Sequence, residues 1–391
     1  MLGVLLARAG LDVVVLEKHG DFLRDFRGDT VHPSTLELIH ELGWLDDFLR
    51  RPHQKVHQIG GQISGERVTI ADFSHLPVRA PFVALMPQWD FLDFLAEHGR
   101  AYSGFDLWMQ AEATSLIEEN GRIAGVVAET PSGPIEVRAA LTIGADGRHS
   151  IVRERAGLRV EQVGAPIDVL WMRLSKRDDD PSMILGNIAA GHIFVMLDRG
   201  AYWQCAFVIP KGGYDAVRTA GLERFRRMLL DTAPFIGRRV NELQGWDQIA
   251  LLTVLIDRLR EWYRDGLLCI GDAAHAMSPV GGVGINLAIQ DAVATANIVT
   301  GPLKSKRLVV EDLRAVQRRR EFPTRATQRL QVAVQNHVMV PTLQRGAPAP
   351  LPRIVRLFNE FPVLRRIPAR IVGLGFRPEH IETPEVQPAH R

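Results

Sequence analysis

One carboxylate and a group of glycines lie close together in residues 266–292, GLLCIGDAAHAMSPVGGVGINLAIQDA. Asp272 follows an apolar run, and its carboxylate could accept hydrogen bonds from ligand hydroxyl groups. Pro279 and the glycines after it form a loop whose backbone can approach a flat or anionic ligand closely. A helix is predicted to open near Asn286, where free N–H groups and the positive end of the helix dipole favour negative charge. The pattern predicts a ligand-binding loop.

The elements around this loop are typical of an open α/β sheet. Residues 267–270 are too few and too apolar for a helix and indicate a buried parallel strand, beyond whose carboxyl end ligands bind. Residues 137–153, VRAALTIGADGRHSIVR, likewise run from a strand into Asp146 and then into a helix. Residues 13–16 form an apolar strand that ends at Glu17, and an acidic residue at that place binds the adenosine ribose in dinucleotide-binding units.

Together these segments resemble the flavoprotein aromatic hydroxylases, the para-hydroxybenzoate hydroxylase family. The resemblance implies that FAD is the cofactor, that Asp272 holds its ribityl chain and that the backbone of residues 282–286 contacts the isoalloxazine ring. It also implies that Arg27 reaches the pyrophosphate and that Gln88 begins a helix flanking the flavin. The residues assigned to cofactor binding are Glu17, Lys18, Arg27, Gln88, Asp146, Asp272, Pro279, Gly282, Val283, Gly284, Ile285 and Asn286.

The same resemblance implies an activity. In the family, NADH or NADPH reduces the flavin, which reacts with O₂ at C4a, and the hydroperoxide transfers one oxygen atom to an aromatic or related electron-rich small molecule. The expected function is therefore an FAD-dependent monooxygenase that uses NAD(P)H and O₂. No catalytic side chain is assigned; Tyr202 and His192 are candidates for deprotonating a phenol, and His275 is interpreted as structural.

Two alternatives stay open. One is a non-oxygenating FAD-dependent reductase of the same superfamily, which would form product without O₂. The other is an inactive binding protein that holds little flavin. A yellow colour of the purified protein would argue against this alternative. The halogenase pattern Trp-x-Trp-x-Ile-Pro and a Cys-x-x-x-x-Cys reductase pair are absent from the sequence.

The expected fold class is α/β, with three parts. A discontinuous Rossmann-type FAD-binding domain takes residues 1–55, 88–160 and 262–325. A mostly antiparallel substrate-binding sheet takes residues 56–87 and 161–261, and it includes the hairpin IFVMLDRGAYWQCAFVIP. Residues 326–391 form a C-terminal helical segment.

The N-terminus departs from the dinucleotide-binding pattern. MLGVLLARAG is predicted to be the crossover helix, with Gly10 at its C-terminal cap. The fingerprint requires a strand and Gly-x-Gly-x-x-Gly before that helix. We therefore expect the first strand and the phosphate loop to lie upstream of Met1. We also expect the chain as given to bind FAD poorly until it is extended.

Composition is that of an ordinary soluble enzyme. The 391 residues are 46% hydrophobic and 24% charged, and the net charge of +2 does not indicate a nucleic-acid-binding protein. Cys205 and Cys269 form neither a close redox pair nor a metal cluster, so buried thiols in a reducing cytoplasm are expected. No run of about 18 apolar residues predicts a transmembrane helix. The expected partners are an aromatic small molecule and O₂, and the chain is a monomer or a homodimer.

Overall fold

The computed structural model describes residues 1–23, 30–63, 65–180, 185–189, 191–345 and 353–386. Arg27, which is predicted to reach the FAD pyrophosphate, lies outside these residues. The helices are α1 Leu2–Arg8, α2 Pro33–Glu41, α3 Leu45–Phe48, α4 Gln88–Gly99, α5 Ile151–Arg155, α6 Tyr214–Thr219, α7 Leu222–Thr232, α8 Gly284–Lys304, α9 Val310–Val334, α10 Val340–Arg345, α11 Arg353–Glu360 and α12 Arg366–Gly373.

The strands alternate with these helices along the chain and confirm the α/β class. They are β1 Val13–Glu17, β2 Thr30–Val31, β3 Gln54–Val56, β4 Gln58–Ile63, β5 Glu66–Asp72, β6 Val83–Leu85, β7 Phe105–Met109, β8 Glu112–Glu119, β9 Arg122–Thr130, β10 Gly133–Arg138, β11 Thr142–Gly144, β12 Val160–Gln162, β13 Ile167–Ser175, β14 Leu185–Ala189, β15 His192–Asp198, β16 Tyr202–Pro210, β17 Ala250–Leu252, β18 Asp257–Leu259, β19 Tyr263–Arg264 and β20 Leu267–Cys269.

The strand before Asp272 forms where the sequence predicts it. All three residues of β20 are fully buried, as expected for an apolar run with no alternation. This strand pairs in parallel with β11 and antiparallel with β19. Because β11 and β20 run the same way, the loops that carry Asp146 and Asp272 leave the sheet at the same edge.

The N-terminal strand β1 belongs to a different sheet. It pairs in parallel with β7, and α1 precedes it as predicted, with Gly10 at φ +83° just beyond the helix. Within the described residues β1 and β11 are not paired, and the cavity described below extends between them along Val13, Val15 and Ile143. This part of the cavity is a groove beside β1. The expectation of a strand upstream of Met1 stays a prediction.

The middle of the chain forms a sheet of seven strands in the order β17-β13-β16-β15-β14-β4-β5. The predicted hairpin is confirmed, since β15 and β16 pair antiparallel from Ile193–Val208 to Asp198–Trp203. Side chains alternate between the two faces of these strands. On β13, Leu170 and Met172 join the core under α7.

Helix α8 is the central helix of the core that also contains β20. By length and composition alone, residues 280–304 are apolar enough to span a membrane, but 61% of the most apolar window is buried inside the protein. A helix buried in the core of a protein meets the same criteria of length and composition. Helices α11 and α12 of the C-terminal segment pack against β5.

Both cysteines are buried and free. Cys205 lies on β16 and Cys269 on β20, and neither side chain is exposed. Burial raises the pKa of the Cys269 thiol to about 12.

Candidate functional site

A large cavity of about 2790 Å³ lies between the strands β1 and β11 and the seven-stranded sheet. Most ligand pockets measure about 300–1000 Å³, so this volume, part of which is the groove beside β1, can hold a dinucleotide together with a substrate. The structure brings nine of the twelve predicted residues to its lining: Glu17, Lys18, Gln88, Asp146, Asp272, Pro279, Gly282, Gly284 and Ile285.

Val283 and Asn286 do not belong to this lining. The Asn286 side chain is buried and instead holds two segments together. Its Oδ1 accepts hydrogen bonds from the His32 backbone N–H at 3.0 Å and from the Thr35 hydroxyl at 2.7 Å. Its Nδ2 donates to the carbonyls of Thr30 and Gly282, both at 3.3 Å. Asn286 therefore fixes the glycine loop against β2 and the start of α2.

The glycine loop leads directly into the first turn of α8. Gly282 has φ +64°, and a Cβ there would lie 2.5 Å from the Thr30 hydroxyl oxygen, so the close contact with β2 requires glycine. Helix α8 begins at Gly284, and no side chain in the described part of the chain caps it. The first N–H groups of a helix lack partners within the helix. Gly284 and Ile285 therefore offer donors beside the cavity for a carbonyl or anionic ligand atom.

Asp146 stabilises the start of α5, whose N-cap residue is Ser150. Its Oδ1 accepts from the Ser150 hydroxyl at 2.5 Å, and its Oδ2 accepts from the Val152 N–H at 3.1 Å, at the start of α5. From α5, Arg153 donates to the Ala273 carbonyl at 3.4 Å. The two strand-end loops are thus tied to each other, and Asp146 reaches the cavity as an exposed, already hydrogen-bonded carboxylate.

At the end of β1, Glu17 is half-buried and Lys18 is exposed. Glu17 Oε1 accepts from the His19 backbone N–H at 3.0 Å, and the Lys18 ammonium lies 3.8 Å from Glu112. This pair is solvent-exposed, so it contributes little to stability and leaves Lys18 able to reorient toward an anion.

A row of glutamines on α9 and just beyond it positions the loop between Asp272 and Pro279. Gln331 accepts from the Ser278 N–H at 3.1 Å and donates to the carbonyls of Ser278 and Val280, each at 2.9 Å. Gln328 donates to the Ala276 carbonyl at 3.1 Å, and Gln335 to the Ser278 hydroxyl. Sequence reasoning missed this row, although its i, i+3, i+7 spacing marks one helix face.

His275 is part of a buried charged network, as its structural interpretation predicts. Its Nε2 lies 2.6 Å from Asp291 Oδ2, which also accepts from the Gly271 N–H at 3.1 Å. Asp291 Oδ1 accepts from Arg320, and Arg320 also contacts Glu379 at 3.1 Å. Burial acts to raise the pKa of Asp291, but His275 and Arg320 outweigh it, and the pKa is lowered.

The opposite wall of the cavity is apolar. It is formed by residues of the seven-stranded sheet whose side chains point away from the core under α7. These residues include Val169, Trp171, Val195 and Val208. Tyr202 and His192 are not among the lining residues, so the structure gives no support to either as the group that deprotonates a substrate. Among the described residues, no group of three or more His, Cys, Asp or Glu side chains could hold a metal ion.

Comparison with known proteins agrees with this geometry. A family model described as an FAD binding domain matches residues 1–329. The 6-methylpretetramide 4-monooxygenase of Streptomyces rimosus is 31% identical over 372 residues, which are 95% of this chain and 88% of that protein. Several longer curated relatives are 26% to 29% identical, and the chain spans about 60% of their length.

Solved structures show the same fold. PqsL, a probable FAD-dependent monooxygenase from Pseudomonas aeruginosa, has a TM-score of 0.73 at 21% identity, covering 88% of this chain and 95% of its own. OxyS anhydrotetracycline hydroxylase from Streptomyces rimosus has a TM-score of 0.70 at 21% identity, covering 95% and 72%. The chain belongs to the FAD-dependent aromatic hydroxylase family and is an FAD-dependent monooxygenase.

Proposed function

We propose that this enzyme uses NADH or NADPH and O₂ to hydroxylate a multi-ring phenolic or related electron-rich compound. The observation that carries the proposal is the uncapped first turn of α8, which opens on the cavity beside Gly282 and opposite an apolar wall. That arrangement suits a flat ring system with polar atoms along one edge.

The donor set fits FAD. The N–H groups of Gly284 and Ile285 would hold the pyrimidine edge of the isoalloxazine ring, and the helix dipole would stabilise negative charge there. Asp272 would accept from ribityl hydroxyls, and Glu17 from the adenosine ribose. When bound, FAD supplies the redox chemistry that no side chain at this site provides.

The protein's own contribution is binding, orientation and exclusion of water. The wall formed by Val169, Trp171, Val195 and Val208 offers an apolar surface for aromatic rings. Two of the similar proteins are named for fused-ring substrates, 6-methylpretetramide and anhydrotetracycline. We extend that substrate class, a fused-ring phenol, to this chain. Two buried unpaired thiols support action in a reducing compartment such as the cytoplasm.

The decisive experiment follows the oxygen atom. The purified protein is reconstituted with FAD and given NADH or NADPH, a fused-ring phenol and ¹⁸O₂. One labelled oxygen atom should enter the product, the other should leave as water, and one NAD(P)H should be oxidised per product. Product formed without O₂ would instead identify a reductase. Failure to bind FAD at all would identify a binding protein without this activity.

A further inference from the structure

His32 is a buried histidine that the proposed site does not yet use. It caps the N-terminus of α2, immediately after β2, and only 1% of its surface is exposed. It nevertheless belongs to the cavity lining, as do Thr30 and Gly282.

The hydrogen bonds of His32 determine which ring nitrogen carries the proton. Nδ1 lies 2.8 Å from the backbone carbonyl oxygen of Val372, on α12. A carbonyl oxygen can only accept, so Nδ1 is the donor and Nε2 of the neutral ring carries a lone pair. Nε2 has no hydrogen-bond partner among the described residues.

The charge state of the ring is equally well defined. Burial lowers the pKa of His32 to about 4, and the Val372 carbonyl opposes this only in part. The imidazole is therefore neutral at pH 7. A buried acceptor without a donor is costly, and buried polar groups in native proteins nearly always have a partner.

We propose that Nε2 of His32 accepts a hydrogen bond from a polarised N–H or O–H group of the ligand bound in this cavity. Two sources share that chemistry: the imide N–H of the flavin ring and a hydroxyl group of the phenolic substrate. The inference rests on the proposed function. It adds a side-chain acceptor to a site whose other contacts with the ring edge are backbone donors.

Two substitutions separate the two ring nitrogens. In His32→Asn the side-chain amide takes the place of Nδ1, keeps the bond to Val372 and removes the acceptor at Nε2. In His32→Gln the longer side chain brings a carbonyl oxygen to the position of Nε2. A purely structural role at Nδ1 predicts that Asn is the better replacement, whereas the proposed role predicts that Gln is.

The measurements are the Kd of FAD for the apoprotein and the Kd values of a fused-ring phenol and of its methyl ether. If the substrate is the donor, His32→Asn weakens binding of the phenol about tenfold and leaves its methyl ether unchanged. If the flavin imide is the donor, FAD binding weakens about tenfold and the phenol-to-ether ratio stays constant. His32→Gln should restore the affected constant in either case.

A measurement on the unaltered protein covers the case in which His32→Asn does not fold. The ¹⁵N resonance of His32 Nε2, identified by its loss in His32→Gln, should move on addition of FAD or of the phenol. A resonance that moves with neither ligand overturns the inference. So does a folded His32→Asn protein with unchanged constants. If the wild type hydroxylates the phenol in these cases, the proposed function survives, whereas a wild type that binds no FAD overturns both.

Discussion

The seven-stranded sheet and the loop between Asp272 and Gly284 are held in place by different kinds of bond. In the sheet, β13 and β16 pair along nine consecutive residues, from Ile167–Pro210 to Ser175–Tyr202. On the flavin side, β20 has three residues. The loop beyond it accepts two backbone bonds from β18, at Ala274 and Ala276, and is otherwise held mainly by side chains. Asn286 and Gln331 bond its backbone from a helix, and Asp291 bonds the N–H of Gly271 just before it.

This difference separates two tasks. A ladder of backbone bonds tolerates many side chains, so one face of the sheet can change with the substrate while the other stays packed under α7. The loop must instead present backbone groups to a ligand, and its own N–H and C=O groups cannot all be used by neighbouring strands. Buried polar side chains from α8 and α9 stabilise its shape without covering the cavity.

The first way to test this comparison is to remove Asp291. In Asp291→Ala the fully buried Arg320 keeps Glu379 but loses one of its two carboxylate partners, and the Gly271 N–H loses its acceptor. The free energy of unfolding should fall by about 3–5 kcal/mol, as measured by denaturant titration. Asp93→Ala, an exposed carboxylate on α4, is the control and should change it by less than about 0.5 kcal/mol. Equal stability of the two variants would contradict the role of the network.

The matching change on the sheet side is Asp180→Ala. Asp180 is paired with the buried Arg239 and accepts from the Trp203 indole N–H at 2.8 Å. Arg239 keeps its bonds to the carbonyls of Phe235 and Ile236. The free energy of unfolding, measured by denaturant titration, should therefore fall by about 3 kcal/mol, the lower end of the range for a broken buried pair. Asp178→Ala, an exposed neighbour, should be nearly neutral.

The same pair predicts a pH dependence. Burial acts to raise the pKa of Asp180, but hydrogen bonds from Arg239 and its neighbours outweigh it and hold the pKa well below 3.8. The unfolded chain therefore binds more protons in acid, and the pair's contribution to stability is lost as the pH falls below about 4. The stability difference between wild type and Asp180→Ala should begin to shrink as the pH falls below about 5 and should go on shrinking until the pH reaches the lowered pKa of the folded protein. A difference independent of pH would contradict the assignment.

Removing Asp272 tests the ligand side of the loop. Asp272→Ala loses a charged acceptor for the ribityl hydroxyls, which should cost about 1.5–3 kcal/mol, or roughly ten- to a hundredfold in FAD affinity. Fluorescence titration of the apoprotein measures this. Asp215→Ala, on the distant α6, serves as the control. Unchanged affinity in a folded Asp272→Ala protein would reject the assignment.

The smallest expected effect is that of Gln331→Ala. It removes three bonds to the backbone of Ser278 and Val280, which line the cavity, while Gln331 itself is not a lining residue. We expect FAD affinity to fall about five- to tenfold, equivalent to about 1–1.4 kcal/mol, because the loop loses its shape. Asn336→Ala, an exposed polar residue nearby, should leave affinity unchanged. A Gln331→Ala protein with wild-type affinity would show that the loop holds itself.

The strands of both regions can be predicted from the sequence. The β15–β16 hairpin follows from the alternation of residues that are neighbours along the chain, with a turn at Gly200. The strand before Asp272 is predicted equally well from its apolar run. The bonds of Asp146 to Ser150 and Val152 are local too. The sequence alone, however, does not distinguish an acidic residue that binds a ligand at a strand end from one that bonds the next helix.

The roles of Asn286 and His32 could not be predicted in the same way. Asn286 bonds residues about 250 positions away, and His32 bonds Val372, 340 positions away. No periodicity or spacing reports a contact of that separation. The flavin loop could be located from its own residues, but the side chains that stabilise it became apparent only from the fold.

Cys269 lies on β20, the strand that ends at the Asp272 loop, and its buried thiol has a pKa of about 12. Any enzyme that reduces O₂ releases some peroxide when transfer to the substrate fails. Peroxide attacks the thiolate, not the thiol, and it needs access to the sulfur. Cys269 is therefore protonated and enclosed on the strand next to that chemistry, so peroxide released there has no thiolate to attack at this position.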